Sequence, residues 1–347
     1  MPNQRQRYYD DIAAHHMAPL WESLKGLITP TPRSACVPWV WRYEDIRASV
    51  MKAGEVITAK EAERRVLVLE NPGMSGQSRI TTSMYAGLQL ILPGEVAPAH
   101  RHSPSALRFV VEGQGAFTSV NGEKTIMHEG DFVITPAWTW HDHGNDSAQP
   151  MVWLDGLDLH LAQFLDASFV ESFPQEAQTP NQKTPLSLAD LGAGLTPIGA
   201  TSTGFTSPVF NYPYAHTREA LSKLQDAGAP DPHHGYKLTY TNPLTGDYAM
   251  PTIGAFMQLL PTRFTSAPYR STDATVFSVV EGTGTTTIGD QDFTWGPRDT
   301  FVVPSWHVHQ HKTDAEAVLF SFSDRPVQDK LGFWREDIQV SNESARR

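Results

Sequence analysis

Residues 107–115 and 276–284 have closely related sequences. The first segment is LRFVVEGQG and the second is VFSVVEGTG, and the same alignment places Gln89 on Gln258. Self-similarity of this kind indicates a duplicated structural unit. The repeat therefore predicts two domains of one fold, which agrees with a length of 347 residues and an apolar content of 40%, enough for two substantial cores.

Short apolar or alternating segments follow one another from about residue 65, separated by Gly, Asn and Pro. Such segments, spaced by turn residues, are typical of an all-β barrel. The sequence thus predicts an all-β fold with two jelly-roll-like barrels. In the first barrel the segments read VLVLE, AGLQLIL, LRFVVEG, GAFTSV, DFVITP and VWLDGL.

The parts of the chain outside the barrels show helical patterns. Apolar residues at mixed spacings of three and four predict amphipathic helices at 8–28 and 43–53. A further helix is expected at 217–226, with Thr217 as its N-cap, inside a stretch rich in Pro, Thr, Ser and Gly. The predicted domains are a helical N-terminal extension (1–64), a first barrel (65–166), a connector (167–235) and a second barrel (236–347).

Charge and cysteine content limit the partners and the compartment. A formal net charge of -11 argues against nucleic acid or an anionic membrane as a partner. The single cysteine, Cys36, excludes an internal disulfide, and the N-terminus MPNQRQRYYDD lacks the apolar stretch of a signal peptide. No apolar run approaches the length of a membrane span. We expect a cytoplasmic protein without a nucleic-acid or membrane partner.

Three histidines in two of the predicted strands have the spacing of a metal site. His100 and His102 point to the same side of a strand because side chains alternate, so both can bind one ion. Gly130 and Pro136 bracket the next relevant strand, which places His141 just past a turn and opposite the pair. Taken alone, an HxH pair is more often two solvated or core histidines.

The wider pattern around these histidines resembles the two-part signature of the cupin superfamily. It consists of Gly94, His100-x-His102, Gly130, Pro136, His141 and Asn145. A typical cupin has a ligand Glu shortly after HxH, where this chain has Ala106 and Leu107. Three neutral imidazoles leave a divalent ion with its full charge, so the site should attract an anionic chelator. Three protein ligands on one face of the ion, with the other positions open, favour Fe(II), and Zn or Mn remain alternatives.

Arg108 shares strand parity with His100 and His102 and should point into the barrel. The repeat alignment pairs His100 with Tyr269, His102 with Ser271 and Arg108 with Phe277, so the arginine is lost together with two of the ligands. We interpret it as a carboxylate clamp, because its planar fork matches a carboxylate with two hydrogen bonds. A salt bridge to an internal Asp or Glu, or a bulge that turns it outward, is the alternative.

The chain resembles gentisate 1,2-dioxygenases in YAGLQLILPGEVAPAHRHSPSALRFVVEGQGAF, GDFVITPAWTWHDHGN and VWLDGLDLHLAQFLDASF, and more loosely in TVFSVVEGTG and FVVPSW. The missing cupin Glu is normal in that family. The resemblance implies a bicupin homotetramer that binds Fe(II) through His100, His102 and His141. It also implies opening of the 2,5-dihydroxybenzoate ring between the carboxylated carbon and its hydroxylated neighbour, with O2 as co-substrate and maleylpyruvate as product.

The same resemblance implies that Arg108 holds the substrate carboxylate and that Gln89, His143 and Asp155 surround the ring. Each of the three has a structural alternative. His143 could be a solvent-facing partner of a nearby acid, and Asp155 could cap a turn. Gln89 could form a structural hydrogen bond, because its repeat partner Gln258 lies in a barrel without the full triad.

Other aromatic and histidine residues have open roles. Trp138 and Trp140 flank the third ligand, and they are either walls of the pocket or, more commonly for such residues, packed aromatic side chains. Tyr85 and Gly87 are considered pocket walls together with Trp138. The pair His233-His234 is predicted to be solvated. In the second barrel the alternating residues His307, His309 and His311 leave open a second metal site with an unusual ligand set.

Two rival functions follow from the same residues. A salicylate or 1-hydroxy-2-naphthoate 1,2-dioxygenase would keep the iron and the clamp and differ in the pocket walls. A non-catalytic metal-binding bicupin would predict that neither barrel keeps a full ligand set, and the complete first triad argues against it. The lack of a ligand Glu and of a basic phosphate-binding cluster argues against a cupin sugar isomerase.

Overall fold

The computed structural model describes residues 4–175, 177–179 and 205–339. The chain forms two compact units, Met1–Arg33 and Ser34–Arg347. The first unit contains helix α1 (Gln4–Ala13) and helix α2 (Leu20–Leu27).

Where one helix was predicted at 8–28, the structure has two. The break has a local cause, because His16 adopts a left-handed conformation with φ 56° and Pro19 lies immediately before α2. The helices contact each other through the indole of Trp21, which donates to the hydroxyl of Tyr9 at 2.8 Å.

The second unit begins with strand β1 (Trp39–Trp41), helix α3 (Tyr43–Val56) and the short helix α4 (Ala59–Ala62). Helix α3 confirms the prediction at 43–53. Thr58 and Glu61 form a capping box at the start of α4. The Thr58 side chain accepts from the backbone N–H of Glu61, and the Glu61 side chain accepts from the backbone N–H of Thr58. In the described part of the chain, no helix combines the length and apolar character needed to cross a bilayer.

The first barrel consists of two antiparallel sheets. Their strand orders are β12-β8-β5-β10-β3-β2 and β11-β4-β9-β6-β7. The helix that follows β10 is α5 (Leu159–Phe164). The strands are β2 (Val66–Val68), β3 (Tyr85–Ile91), β4 (Val96–His102), β5 (Ala106–Glu112), β6 (Ala116–Val120), β7 (Glu123–Ile126), β8 (Phe132–Thr135), β9 (His141–Asn145), β10 (Met151–Leu157), β11 (Val170–Ser172) and β12 (Asn211–Tyr212).

The second barrel repeats this arrangement. Its sheets have the orders β1-β20-β17-β22-β14-β13 and β15-β21-β18-β19, and β16 pairs with β23. The strands are β13 (Tyr236–Thr239), β14 (Gly254–Leu260), β15 (Phe264–Thr265), β16 (Arg270–Ser271), β17 (Thr275–Glu281), β18 (Gly284–Ile288), β19 (Gln291–Trp295), β20 (Thr300–Val303), β21 (His309–Thr313), β22 (Ala317–Ser323) and β23 (Glu336–Asp337). The predicted all-β, two-barrel fold with an N-terminal helical part is confirmed.

The two barrels share one hydrophobic core. Phe109 of β5 stacks on Phe320 of β22 with ring centroids 4.1 Å apart, and Phe132 of β8 lies 5.6 Å from the same ring. All three side chains are almost fully buried. Burying a side chain of this size contributes on the order of 1.5–3 kcal/mol, so this contact is a major source of the cohesion between the barrels.

Short strands from distant parts of the chain complete each barrel. β1 precedes the first barrel in sequence but pairs with β20 of the second, and β12 follows the first barrel but pairs with its strand β8. Residues 39–41 of the predicted N-terminal extension and residues 211–212 of the predicted connector are therefore built into the sheets. The predicted domain boundaries stay predictions.

The connector helix differs from its prediction. Helix α6 spans Tyr214–Ala227 and begins after Pro213, which has no side-chain donor or acceptor. Thr217 lies inside the helix, where its hydroxyl is 3.4 Å from the carbonyl oxygen of Pro213. The prediction of Thr217 as N-cap is wrong, because proline at the boundary moves the start of the helix upstream. A last helix, α7 (Arg325–Leu331), follows β22.

Candidate metal centre and substrate pocket

Three histidines converge inside the first barrel. His100 and His102 lie on β4, and His141 opens β9, directly across the sheet from His100. One potential ligand atom from each ring lies within 4.8 Å of the others. The register between β4 and β9 shifts just before His100, and such a bulge re-aims side chains. Among the described residues, this is the only group of three or more His, Cys, Asp or Glu that meets in this way.

All three imidazoles are held in the neutral form. Burial lowers the pKa of His100 to about 3, with a further contribution from the nearby Arg64, and lowers the pKa of His102 to about 4. Burial also lowers the pKa of His141 far below its ordinary value. Neutral rings keep a lone pair, which a metal ion requires.

Backbone carbonyls fix the tautomer of two of the three rings. Nδ1 of His102 lies 2.7 Å from the carbonyl oxygen of Pro104, and Nδ1 of His141 lies 2.9 Å from that of Thr139. A carbonyl only accepts, so Nδ1 carries the proton and Nε2 keeps the lone pair. Nε2 of His141 is buried and has no hydrogen-bond partner among the described residues. A metal ion would satisfy it, so the residues fit such an ion.

The donor set narrows the choice of metal. Imidazole nitrogen suits iron, zinc, copper and nickel, whereas magnesium and calcium prefer oxygen. Three protein ligands on one side leave positions for other molecules.

Arg108 is buried on β5 and makes polar contacts with three side chains inside the first barrel. Its Nε lies 3.4 Å from Oδ1 of Asp155, the residue opposite it on β10. Its Nη2 lies 2.8 Å from Nε2 of His143, and its Nη1 donates to the hydroxyl of Thr135. The salt bridge that was considered as an alternative is therefore present. Each Nη also carries a second N–H for a further acceptor.

Asp155 is a buried carboxyl with an altered proton affinity. Burial raises its pKa to about 6, although Arg108 and the indole N–H of Trp153, 3.1 Å from Oδ1, act in the opposite direction. Its side chain is not a turn cap. At neutral pH this group lies close to its titration range, which suits proton exchange with a bound molecule.

His143 is completely buried, so it is not a solvent-facing partner of Asp142 or Asp146. Its Nε2 must accept from Arg108, which has only donors, and its Nδ1 therefore donates to the hydroxyl of Thr118 at 3.0 Å. Burial, with Arg108 as the next cause, lowers its pKa well below the ordinary value. His143 is a neutral ring of fixed orientation.

Gln89, Gly87 and Tyr85 share one face of β3. Gln89 pairs with Trp153 of β10, and Gly87 pairs with Asp155, so these residues lie beside the ion pair. The Gln89 side chain is buried. A Cβ on Gly87 would lie 2.5 Å from Val66 Cγ1 and 3.1 Å from the Tyr85 hydroxyl, so this position has no room for a side chain.

Arg64 belongs to the pocket and was missed by the sequence analysis. It follows α4, and its Nη2 contacts the imidazole of His100. Burial, together with the charge of Arg108, lowers its pKa to about 9. The only signal in the sequence was the pair Arg64-Arg65 before the first barrel strand. Arg65 instead pairs with Glu95, and the sequence does not indicate which of the two points inward.

Trp138 and Trp140 lie outside the barrel. Both rings cover the guanidinium of Arg101, each with its centroid 4.4 Å away. Arg101 lies between the two ligands of β4 and so projects from the opposite face of the strand. Trp138 is therefore not a wall of the pocket.

Among its described residues, the second barrel has no equivalent centre. Nδ1 of His307 contacts the carbonyl oxygen of Ser305 at 3.1 Å, while His309 and His311 are buried inside the barrel. These three do not form a ligand group within the described residues. His234 is not solvated as predicted, since it lines a cavity with His309 and His311.

The comparisons with known proteins agree with this architecture. The cupin domain family matches residues 87–157 and 255–322. A gentisate 1,2-dioxygenase of Aquipseudomonas alcaligenes is 57% identical over 333 residues, covering 96% of each protein. A 5-aminosalicylate 1,2-dioxygenase of a Comamonas species is 38% identical over 96% of this chain and 90% of that protein.

A solved structure is similar over nearly the whole chain. The salicylate 1,2-dioxygenase of Pseudoaminobacter salicylatoxidans, as an adduct with gentisate, superposes with a TM-score of 0.90 at 36% identity, covering 98% of this chain and 96% of that one. The similarity to these enzymes runs through both barrels. The chain therefore belongs to the gentisate 1,2-dioxygenase family of bicupin ring-cleaving dioxygenases, and it is an oxidoreductase of that class.

Proposed function

We propose that this protein is an Fe(II)-dependent gentisate 1,2-dioxygenase that converts 2,5-dihydroxybenzoate and O2 to maleylpyruvate. The observation that carries the proposal is the convergence of three neutral histidines with two buried or half-buried arginines in one barrel. The relative from Aquipseudomonas alcaligenes, which is 57% identical to this chain, supports gentisate as the substrate.

The histidine triad would hold the iron. His100, His102 and His141 would bind through nitrogen, with Nδ1 of His102 and His141 fixed by backbone carbonyls. When bound, Fe(II) supplies the redox chemistry that lets O2 react with an electron-rich ring. Since the triad carries no charge, it would leave the charge of Fe(II) unbalanced. An anionic substrate would balance that charge.

The arginines would hold the substrate carboxylate. Arg108 keeps one N–H on each Nη, and its other contacts fix the plane of the guanidinium. Arg64 adds a second positive charge beside His100. A carboxylate placed between them would form charge-assisted hydrogen bonds, and the adjacent ring hydroxyl would then point toward the triad.

The remaining polar residues would act on the ring hydroxyls. Asp155, with a pKa raised to about 6, can accept a proton from a substrate hydroxyl near neutral pH. His143 orients Arg108 through Nε2 and is itself oriented by Thr118. Gln89 offers a buried amide beside the ion pair, which would bind the second ring hydroxyl.

Oxygen uptake tests the proposal directly. Protein reconstituted anaerobically with Fe(II) is exposed to air with gentisate and then with salicylate, and product absorbance is followed. We expect one O2 consumed per gentisate and little response to salicylate. Equal uptake with both would favour the runner-up, a salicylate or 1-hydroxy-2-naphthoate dioxygenase, and uptake with neither would indicate a non-catalytic metal-binding bicupin.

The clamp is tested by comparing two variants. Arg108→Ala should raise the substrate concentration needed for half-maximal rate while iron content stays near that of the unmodified protein. His102→Ala should lose both iron and turnover. An iron-free Arg108→Ala protein would contradict the clamp.

A homotetramer and a cytoplasmic location complete the proposal. The tetramer rests on family membership, and the location rests on the single cysteine, which fits a reducing compartment. Light scattering should give four times the 38.5 kDa of one chain. A monomeric mass would contradict the tetramer. Cell fractionation tests the location.

A further inference from the structure

A single peptide group connects His102 of the triad to a buried carboxylate. Strand β4 ends at His102, and Pro104 and Ser105 lie in the short turn before β5. The carbonyl oxygen of Pro104 lies 2.7 Å from Nδ1 of His102. The N–H of Ser105 belongs to the same peptide group and donates to Oδ1 of Asp158 at 2.8 Å. One planar peptide group therefore links the imidazole to the carboxylate.

Asp158 lies at the start of a helix but uses its carboxylate elsewhere. Aspartate is favoured before the first turn of a helix because its side chain can cap the backbone N–H groups there. Asp158 precedes α5, yet its side chain makes no capping bond among the described residues. Its Oδ2 instead accepts from the hydroxyl of Thr252, which lies in the second barrel just before β14. The carboxylate therefore bridges the turn after His102 and the second barrel.

A charged acceptor behind the peptide group strengthens the hydrogen bond in front of it. Hydrogen bonds to ionised groups are stronger than neutral ones, and hydrogen bonds in a chain polarise one another. With the Ser105 N–H bonded to a carboxylate, the Pro104 carbonyl oxygen is a better acceptor for the Nδ1–H of His102. Such a bond holds a metal-ligating ring in place and raises the basicity of the nitrogen that binds the ion.

His141 has the same arrangement with a neutral group at its end. Its Nδ1 lies 2.9 Å from the carbonyl oxygen of Thr139. The N–H of Trp140, in the same peptide group, donates to the amide oxygen of Asn121 at 3.1 Å. The link behind His102 differs in two ways, because it ends on a carboxylate and because it continues into the second barrel.

The second barrel has the equivalent contact with the first. Asp324 lies between β22 and α7, and its Oδ2 accepts from the hydroxyl of Ser83, just before β3, at 2.7 Å. The repeat alignment places Ser83 on Thr252. On this side Ser271 stands where the first barrel has His102. The exchange of hydroxyl–carboxylate bonds between the barrels therefore belongs to the fold, and in the first barrel it leads on to a histidine of the triad.

We infer that Asp158 is a positioning residue of the metal centre and that the second barrel, through Thr252, holds Asp158 in place. The inference rests on the proposed role of the triad as ligands of a metal ion. It gives the second barrel a task beyond packing, since this barrel fixes the orientation of one ligand in the first.

Cobalt(II) titration of the metal-free protein tests the inference without turnover. Co(II) is the probe because imidazole nitrogen binds it and its visible absorption reports both affinity and ligand geometry. Burial raises the pKa of Asp158 to about 6, so the titration is run at pH 7.5, where the carboxyl is ionised. Asp158→Asn keeps the size of the side chain and removes its charge. We expect this variant to bind Co(II) about tenfold more weakly, with shifted absorption bands.

The hydroxyl of Thr252 is tested with two further variants. Thr252→Val should weaken Co(II) binding and shift the bands in the same direction as Asp158→Asn, but by less. Thr252→Ser keeps the hydroxyl and should restore both. Ser83→Ala is the matched control, because it removes the equivalent bond to Asp324. It should lower Tm by an amount similar to Thr252→Val and leave the Co(II) affinity and spectrum unchanged.

Three results would count against the inference. Unchanged Co(II) affinity and spectrum in Asp158→Asn would overturn it, and so would an equal weakening in Ser83→Ala, which would mean general destabilisation. If Asp158→Asn does not fold, the comparison of Thr252→Val with Ser83→Ala decides. Unmodified protein that binds no Co(II) would overturn the metal centre itself, and the inference with it, so the two failures are distinguishable.

Discussion

The two barrels have matching strands but different interiors. Strands β5 and β17 are each seven residues long and each has a register shift against its neighbour, β10 or β22. In the first barrel Arg108 lies opposite Asp155, and at the same place in the second barrel Phe277 lies opposite Ser321. Both members of the ion pair are replaced together. The fold therefore does not need the pair, and its presence marks the barrel that carries the chemistry.

Other features are retained in both barrels. His143 is bonded to Thr118 at 3.0 Å, and His311 is bonded to Thr286 at 2.8 Å at the matching position. The hydrogen bond to threonine is therefore a feature of the fold, and the contact of His143 Nε2 with Arg108 is what the first barrel adds to it. The comparison separates residues of the site from residues of the fold.

The arginine and tryptophan outside each barrel are also repeated. Arg101 contacts Trp138 and pairs with Glu171 across β4 and β11. Arg270 contacts Trp306 and pairs with Asp337 across β16 and β23. Both tryptophans have a positive φ, 59° and 63°. Since the second barrel lacks the triad, this arrangement belongs to the fold.

The largest expected effect comes from matched histidines. His141→Ala should lose iron and turnover, because one of three ligands disappears. His309→Ala, at the equivalent position of the second barrel, should keep both. Metal analysis and oxygen uptake measure the difference. Loss of iron in the His309 variant would end the distinction between the two barrels.

Converting the ion pair of the first barrel into the pair of the second is the next test. Arg108→Phe leaves Asp155 buried without its cation and should lower the free energy of unfolding by about 3–5 kcal/mol. The double variant with Asp155→Ser should recover part of this loss, with a coupling of about 0.5–3 kcal/mol. Urea unfolding gives the free energy of unfolding of the unmodified protein, of each single variant and of the double variant. Strict additivity would show that the pair is not energetically coupled.

Acid should destabilise the iron-free protein. The folded pKa values of His100, His102 and His309 are lowered to about 3, 4 and 4, so the unfolded chain binds protons first as pH falls below about 6.5. Stability is then greatest above pH 6.5 and decreases toward pH 4. Three buried carboxyl groups oppose this trend, because their pKa values are raised to about 6 and the folded state takes up their protons first; they are Asp155, Asp158 and Asp324. They are outnumbered by the seven histidines whose pKa values are lowered in the folded state.

Urea midpoints at several pH values between 4 and 7.5 measure this dependence. The His309→Ala variant should show a smaller slope, because one buried neutral histidine is gone. A midpoint that does not change with pH would contradict the assignment of these histidines as neutral.

The smallest effect is expected from the outer arginines. Arg101→Ala and Arg270→Ala should each reduce stability by about 1 kcal/mol, since a partly exposed cation–π contact and a surface salt bridge contribute modestly. Iron content should stay unchanged in both. Thermal unfolding and metal analysis test this. Loss of iron in the Arg101 variant alone would mean that the first-barrel arrangement also positions the ligands.

Local pattern was sufficient for the strands, the duplication and the triad. The alternation of side chains places His100 and His102 on one face whatever the rest of the chain does, and the repeat reveals Phe277 where Arg108 would be. These inferences depend only on short-range geometry and on comparing the chain with itself.

Tertiary structure decided what depends on contacts between distant residues. Pattern did not reveal that Asp155 lies opposite Arg108, that Arg64 reaches His100, or that Trp138 lies outside the barrel. Nor did it show β1 completing the second barrel. Strand register, bulges and long-range pairing set these contacts. A register shift of one residue would move every side chain of a strand to the opposite face of its sheet. The sequence by itself determined which groups could bind a metal, and the folded chain alone determined which charges surround it.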